Sequence, residues 1–224
     1  MRVIESAVYQ FDELSDSAKE RARAWYRDAS AGDSFFAESV IENAATVAAL
    51  LGLDVRQRPV KLMGGGTRRE PALYWKGFWS QGDGACCEGE WRADAVKLAE
   101  LKDYAPKEAE LHRIADEFAR IATEWPDARF TVQHRGHHYH EHCTSFDFAG
   151  FVREDADGSL RDLTPAEEDS ASSAEEDLTE AARDFMRWIY SQLQTEYEYQ
   201  NADEQVDESI LANAYEFDEE GNRA

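Results

Sequence analysis

Residues 73–91 have the pattern of a β-hairpin, and this pattern limits the possible folds more than any other part of the chain. Residues 74–79 are aromatic and strand-like, a turn containing Gly and Asp follows, and a second apolar run returns. Residues 128–150 predict a second hairpin, with its turn at residues 135–136. Elsewhere the apolar residues recur mostly at helical spacing. We therefore predict an α+β fold, in which an antiparallel sheet built from two hairpins packs against several helices and the C-terminal third is acidic and helical.

The net charge restricts the partners that such a fold can bind. The chain has 47 Asp and Glu residues against 24 Lys and Arg, a formal net charge of −23. Because binding to nucleic-acid phosphates requires an excess of basic residues, we expect no direct contact with nucleic acid. An anionic membrane surface is excluded for the same reason. We expect instead a basic partner protein or nucleoprotein complex.

The acidic residues are concentrated near the C-terminus. Residues 153–224 hold 22 acidic and 5 basic residues, a net of −17, whereas residues 1–152 hold 25 and 19, a net of −6. Residues 155–176 are also rich in Ser and almost free of large apolar side chains. We therefore predict an α+β core at 1–152, an acidic mobile loop at 153–176 and an acidic helical segment at 177–224. The last segment is expected to pack on the core within a single domain.

The acidic helices supply the candidate partner-binding residues. Carboxylates on a helix can imitate the spacing of DNA phosphates, and a tyrosine next to a glutamate suits a protein interface. The alternative is a solvated face that only keeps the protein soluble. The predicted binding residues are Glu175, Glu176, Asp177, Glu180, Asp184, Glu196, Tyr197, Glu198, Tyr199, Asp203, Glu204, Asp207 and Glu208.

Five of the six histidines lie within nine residues, between positions 134 and 142. His138, His140 and His142 alternate, so on a strand they would share one face and could bind a borderline metal such as Zn²⁺. The alternative is that they pack and form hydrogen bonds on a half-buried sheet. We predict no cofactor, and an enzyme is the less favoured interpretation. A metal- or thiol-dependent enzyme would use the His-rich strand together with Asp83 and Cys87.

The cysteines indicate a reducing compartment. Cys86, Cys87 and Cys143 form an odd set with one adjacent pair, which is not typical of a disulfide framework. The first residues lack the apolar segment of a signal peptide, and no apolar run has the length of a membrane span. We therefore expect a cytoplasmic protein with reduced thiols, and a homodimer is plausible.

Several segments together resemble a known family. They are residues 9–15 with 18–20 and 25–26, the segment Gly77-Phe78-Trp79-Ser80-Gln81-Gly82-Asp83-Gly84, residues 104–107 and residues 184–190. These segments are similar to those of acidic, largely uncharacterised proteins encoded by phages and prophages, some of which are labelled antitoxins of toxin–antitoxin systems.

The resemblance implies a setting in the cytoplasm of a bacterial host. Together with the charge, it predicts an acidic inhibitor of a host nucleic-acid-binding protein or complex. Such an inhibitor would be an anti-defence protein, for example an anti-CRISPR or anti-restriction protein acting by DNA mimicry. The alternative to this function is an antitoxin that neutralises a toxin.

Overall fold

The computed structural model describes residues 7–224, and these form two compact units. The smaller unit combines the chain up to residue 38 with residues 193–224, and the larger unit comprises residues 39–192. The boundaries predicted at residues 152 and 176 do not coincide with those of the units. The strand predicted at residues 3–11 lies partly outside the described residues, and strand β1 covers only Tyr9–Gln10.

The smaller unit joins the two ends of the chain. Helix α1 spans Asp16–Ser30 and begins after Ser15, whose hydroxyl accepts a hydrogen bond from the Ala18 N–H at 3.3 Å. Ser17 and Glu20 have the spacing of a capping box and predict a cap at Ser17, but the observed cap lies two residues earlier. Near the C-terminus, helix α6 spans Asp203–Ala212, and strand β12, Glu216–Phe217, pairs antiparallel with β1.

A small apolar core holds this unit together. The Phe11 and Phe217 rings meet edge to face at 6.5 Å, and Val206 and Ile210 of α6 are fully buried in the same cluster. Fully burying each such side chain stabilises the fold by about 1.5–3 kcal/mol. Helix α6 therefore packs on the N-terminal segment of the chain.

The larger unit is built on a four-stranded antiparallel sheet. Its strand order is β2-β7-β8-β9. The strands span Leu53–Val55, Gly89–Arg92, Arg129–His134 and Thr144–Ala149. In β8 and β9, Phe130 lies opposite Phe148 and Val132 opposite Phe146, so the predicted hairpin and its apolar face are confirmed.

Helices cover the apolar face of this sheet. Helix α4, Ala109–Glu124, follows the short α3, Leu98–Tyr104. The buried Trp91 ring lies 5.6 Å from Phe118 of α4 and 5.4 Å from Phe130 of β8. Helix α2, Phe35–Leu50, begins after Asp33, which accepts a hydrogen bond from the Phe35 N–H at 2.8 Å. Aromatic packing of this kind accounts for much of the stability of a core.

Three two-stranded ribbons complete the larger unit. They pair β3 with β4, β5 with β6, and β10 with β11. Their strands are Gln57–Lys61, Thr67–Pro71, Leu73–Lys76, Gly84–Cys87, Arg153–Glu154 and Leu160–Arg161. The hairpin predicted at residues 73–91 is therefore confirmed in part, because its returning half divides between β6 in a ribbon and β7 in the main sheet.

The prediction of a loop at residues 153–176 is wrong for its second half. Helix α5 spans Pro165–Gln200, so residues 165–176 are helical. The Thr164 hydroxyl and Glu167 form the capping interaction, since the Glu167 carboxylate accepts hydrogen bonds from the Thr164 N–H and hydroxyl at 2.8 Å. Small residues at positions 171 and 174 are buried here, which explains why the helix needs few large apolar side chains.

These elements confirm the α+β class with antiparallel pairing throughout the described strands. Within residues 7–224, no helix combines the length and apolar character that crossing a membrane requires.

Candidate functional site

The predicted partner-binding residues divide between the two units. Five of them lie on α5 within the larger unit, namely Glu175, Glu176, Asp177, Glu180 and Asp184. The other eight lie at the end of α5 and on α6 within the smaller unit, namely Glu196, Tyr197, Glu198, Tyr199, Asp203, Glu204, Asp207 and Glu208.

In the larger unit, arginines bind three of the five carboxylates. Asp184 accepts a hydrogen bond from the Arg113 guanidinium of α4 at 2.6 Å and another from Arg187. Arg187 also contacts Glu180. Burial would raise the pKa of Asp184, but the hydrogen bonds from the two arginines lower it below its usual value. Asp184 therefore acts within the fold rather than at the surface.

Asp177 is bound in the same way, by Arg120 of α4 at 2.7 Å. Since half-exposed ion pairs contribute little individually, this contact chiefly fixes how α4 and α5 face each other. Glu175 and Glu176 remain: in the described part of the chain, no basic side chain forms an ion pair with either of them.

In the smaller unit, arginines of α1 bind two of the carboxylates of α6. The Arg23 guanidinium donates hydrogen bonds to both oxygens of Asp207 at 2.6 Å, and Arg27 donates one to Asp203 at 2.5 Å. The hydrogen bond that Arg23 donates to Asp207 raises the pKa of Arg23, and the bond from Arg27 lowers the pKa of Asp203. Such two-pronged arginine–carboxylate pairs are the strongest of their class.

The outer face of α6 presents the carboxylates that remain. Glu204, Glu208 and Leu211 recur at helical spacing, and all three side chains are exposed. No basic side chain within residues 7–224 forms an ion pair with either glutamate. We call these three residues the α6 outer face. Charge and apolar area lie side by side here, as they do at protein interfaces.

The end of α5 is acidic too, but its side chains are partly engaged. Glu196 accepts a hydrogen bond from Gln200, and Glu198 accepts one from Gln194, each at 2.8 Å and one helical turn away. Tyr199 is exposed, as predicted for an interface residue. Tyr197 instead packs against Phe36, with ring centroids 5.6 Å apart, so part of its ring serves the fold.

The predicted histidine strand is wrong. Strand β8 ends at His134, which lies opposite Thr144, and residues 135–143 form a loop with a short 3₁₀ turn at Glu141–Cys143. His138, His140 and His142 therefore do not alternate along one strand face. Among residues 7–224, no three His, Cys, Asp or Glu side chains are grouped so that they could hold a metal ion.

Two of the histidines, His140 and His142, lie beside Glu141, a buried residue that is only 8% exposed. His140 Nδ1 lies 3.1 Å from one oxygen of Glu141, and Arg187 of α5 lies 3.4 Å from the other. A buried carboxylate is costly unless a positive group compensates it, and Arg187 supplies that charge. The loop is therefore tied to α5 through one guanidinium.

The thiols lack the properties of a nucleophile. Cys86 and Cys87 are fully buried on β6, and burial raises the pKa of Cys86 to about 12. Burial also raises the pKa of Cys87. Because the thiolate is the reactive form, these residues act as small apolar side chains. The thiol-dependent enzyme considered from the sequence is thus not supported at Cys87.

Sequence reasoning missed Trp79, a largely exposed aromatic residue. Asp83 was identified only as a possible catalytic carboxylate. Its Oδ2 atom accepts hydrogen bonds from the N–H groups of Trp79 and Ser80 at 3.0 and 2.7 Å. This turn leaves the Trp79 side chain 77% exposed. The dipeptide Phe78-Trp79 beside a Gly- and Asp-containing turn was the available signal, but it was interpreted as strand.

One open cleft of about 360 Å³ lies between α2, the α3–α4 connection and α5 in the larger unit. Its wall includes Tyr104, whose hydroxyl donates a hydrogen bond to Asn43 Oδ1 at 2.7 Å, and Trp188, whose indole N–H points to Glu108 at 3.5 Å. The volume falls within the range of small-molecule sites, but no charged group is buried there to orient a ligand.

Comparison with known proteins gives one match. A model for a domain of unknown function, DUF8835, matches residues 36–203. This range includes most of α2, all of the larger unit's sheet and ribbons, and α5. No curated protein and no solved structure matches.

Proposed function

The chain belongs to the DUF8835 family, and we propose that it is a binding protein that docks on a basic protein through its C-terminal acidic segment. That segment, residues 193–224, holds ten acidic residues and one basic residue, a net of −9. The observation that carries the proposal is the α6 outer face, on which Glu204 and Glu208 are both exposed one helical turn apart.

The proposal depends on the contrast within α6. Asp203 and Asp207 are already bound by arginines of α1, so their charge is largely compensated. Glu204 and Glu208 form no ion pair with those arginines, so their carboxylates are open to another molecule. Charges arranged in this way raise the rate at which an oppositely charged partner associates, and they select against acidic partners.

A nucleic-acid-binding protein is the partner that this chemistry fits best. Glu204 and Glu208 are one turn apart, about 6 Å along the helix axis. Two phosphate intervals of one DNA strand rise about 6.8 Å along the duplex axis. The two carboxylates could therefore occupy positions that phosphates take in a basic groove. This supports an inhibitor of host nucleic-acid-binding machinery, as an anti-defence protein or an antitoxin would be.

The test compares two variants of equal charge. Full-length protein, E204Q/E208Q and the control E42Q/E168Q, which neutralises two other exposed glutamates, are immobilised and exposed to bacterial lysate at low salt. We expect the full-length protein and the control variant to retain the same basic proteins. Salt or added double-stranded DNA should release these captured proteins. The E204Q/E208Q variant should retain much less.

Two results would contradict the proposal. Equal retention by both variants would show that the position of the charge is irrelevant and that the acidic segment only keeps the protein soluble. Retention that neither salt nor DNA reverses would show that the captured proteins are not held through a phosphate-binding surface.

A further inference from the structure

Trp79 has an exposure that the fold itself does not explain. It lies in the connection between β5 and β6, and 77% of its side chain is accessible to solvent. Large apolar side chains are ordinarily buried, and an exposed indole forgoes the stabilisation that burial would give. Tryptophan is also the residue type most enriched among the few residues that dominate binding energy at interfaces.

Two hydrogen bonds within the turn hold the backbone at Trp79. The carboxylate of Asp83 closes the turn through its bonds to the N–H groups of Trp79 and Ser80. Gly77 has a φ of +50°, and a Cβ atom there would lie 2.5 Å from that carboxylate. Only glycine therefore fits where the carboxylate packs.

The neighbours of the turn fix it on both sides. The Phe78 ring lies 5.6 Å from Trp75 and 5.5 Å from Tyr190 of α5, so it anchors the turn to the fold. On the other side, a Cβ atom at Gly82 would lie 2.6 Å from the His138 ring, which shows how closely the histidine loop packs there. A side chain presented from such a turn loses little freedom on binding.

We propose that Trp79 binds an arginine side chain of the basic partner, an inference that rests on the function proposed above. The indole face attracts cations, and guanidinium groups stack on it more readily than ammonium groups do. The net charge of −23 raises the local concentration of cationic segments, whereas it disfavours a nucleobase as the stacking group. The Asp83 carboxylate at the base of the turn adds to the attraction.

The experiment uses a defined probe, an N-acetylated, C-amidated hexa-arginine peptide, and an uncharged hexa-citrulline peptide of nearly the same shape. Two-dimensional NMR of the ¹⁵N-labelled protein resolves the indole N–H signals of the six tryptophans, and the signal missing in W79F belongs to Trp79. We expect hexa-arginine to shift this signal in a saturable manner at low salt. Hexa-citrulline should leave it unchanged.

Affinity measurements separate stacking from general attraction. The W79A variant should bind hexa-arginine about two- to fivefold more weakly than the unaltered protein. The matched control is F35A, which removes another aromatic side chain that is 73% exposed and should leave the affinity unchanged. Retained chemical-shift dispersion in both variants shows that they are folded.

An unmoved Trp79 signal, or equal affinities of W79A and F35A, would overturn the inference. Because the peptide titration needs no captured partner, its outcome does not depend on the lysate experiment. If E204Q/E208Q still retains the captured proteins, the proposed function fails, although hexa-arginine can still shift the Trp79 signal. If hexa-arginine leaves that signal unchanged, the inference about Trp79 fails, although E204Q/E208Q can still lose the captured proteins.

Discussion

Two acidic regions of the molecule use their carboxylates in different ways. In the middle of α5, Asp184 is bound by Arg113 and Arg187 and is mostly buried. On the α6 outer face, Glu204 and Glu208 are exposed and face solvent. Both regions look alike in composition, and the difference arises from where the arginines of neighbouring helices point.

This difference teaches that acidic residues near one another need not share a role. A carboxylate beside an arginine on the next helix fixes the packing of two elements, whereas a carboxylate without one retains its charge for solvent or a partner. Removing a carboxylate that an arginine binds lowers the stability of the fold. Removing an exposed carboxylate without such a partner affects binding alone.

The largest effect is expected at Arg187. It contacts Glu141, Glu180 and Asp184, and Glu141 is nearly buried. In R187M these carboxylates lose their common partner, so we expect the free energy of unfolding to fall by about 2–3 kcal/mol. Urea denaturation followed by circular dichroism measures it.

The control for Arg187 is R120M on α4. Arg120 pairs with Asp177, and both side chains are nearly half exposed, so the loss should be under about 1 kcal/mol. Equal losses in the two variants would show that burial of the carboxylates does not distinguish the pairs.

An intermediate effect is expected at Asp207, which forms an ion pair with Arg23 although its neighbour Glu208 does not. D207N removes the charge that the Arg23 guanidinium binds through two hydrogen bonds. The free energy of unfolding should therefore fall by about 1.5 kcal/mol. E208Q should alter the free energy of unfolding by less than about 0.5 kcal/mol. Thermal denaturation of the two variants side by side measures the difference, and similar midpoints would contradict it.

Much of the fold could be predicted from the sequence because periodicity and turn chemistry are local. The second hairpin and the helical character of the C-terminal segment follow from spacing alone. Helix α5 begins twelve residues before the helical segment predicted at 177–224. The cause is that its first turns bury alanines, which carry a weak apolar signal.

The candidate site could be predicted only in part, because the decisive contacts are far apart in the sequence. Arg23 and Asp207 are 184 positions apart, and no periodic pattern indicates that they meet. All eleven acidic candidates lie on helices, but their division into bound and open groups was not foreseeable. The histidines were misplaced because an alternating pattern in a loop looks the same as one in a strand.

Acid should weaken the bound carboxylates selectively. The arginines lower the pKa of Asp184 and Asp203 below that of the unfolded chain, about 3.9 for Asp. Their contribution to stability is therefore complete above that value and is lost as the pH falls through the lowered pKa. Urea midpoints measured between pH 5 and pH 2.5 should fall less steeply in D184N than in the unaltered protein. Parallel curves would show that Asp184 is not held ionised by its arginines.

The smallest effect is expected for E204Q/E208Q, and its size follows from two opposing contributions. Glu204 lies in the first turn of α6, where its charge interacts favourably with the helix dipole by about 0.3–1 kcal/mol. Glu204 and Glu208 also repel each other across one turn, by about 0.2–0.5 kcal/mol. Neutralising both removes an attraction and a repulsion of similar size, so the free energy of unfolding should remain within about 0.5 kcal/mol. Both contributions are screened by salt, and the difference from the unaltered protein should vanish at high ionic strength. Urea denaturation at low and high salt measures this, and a loss above 1 kcal/mol that persists in salt would show that the α6 outer face belongs to the fold and is not available to a partner.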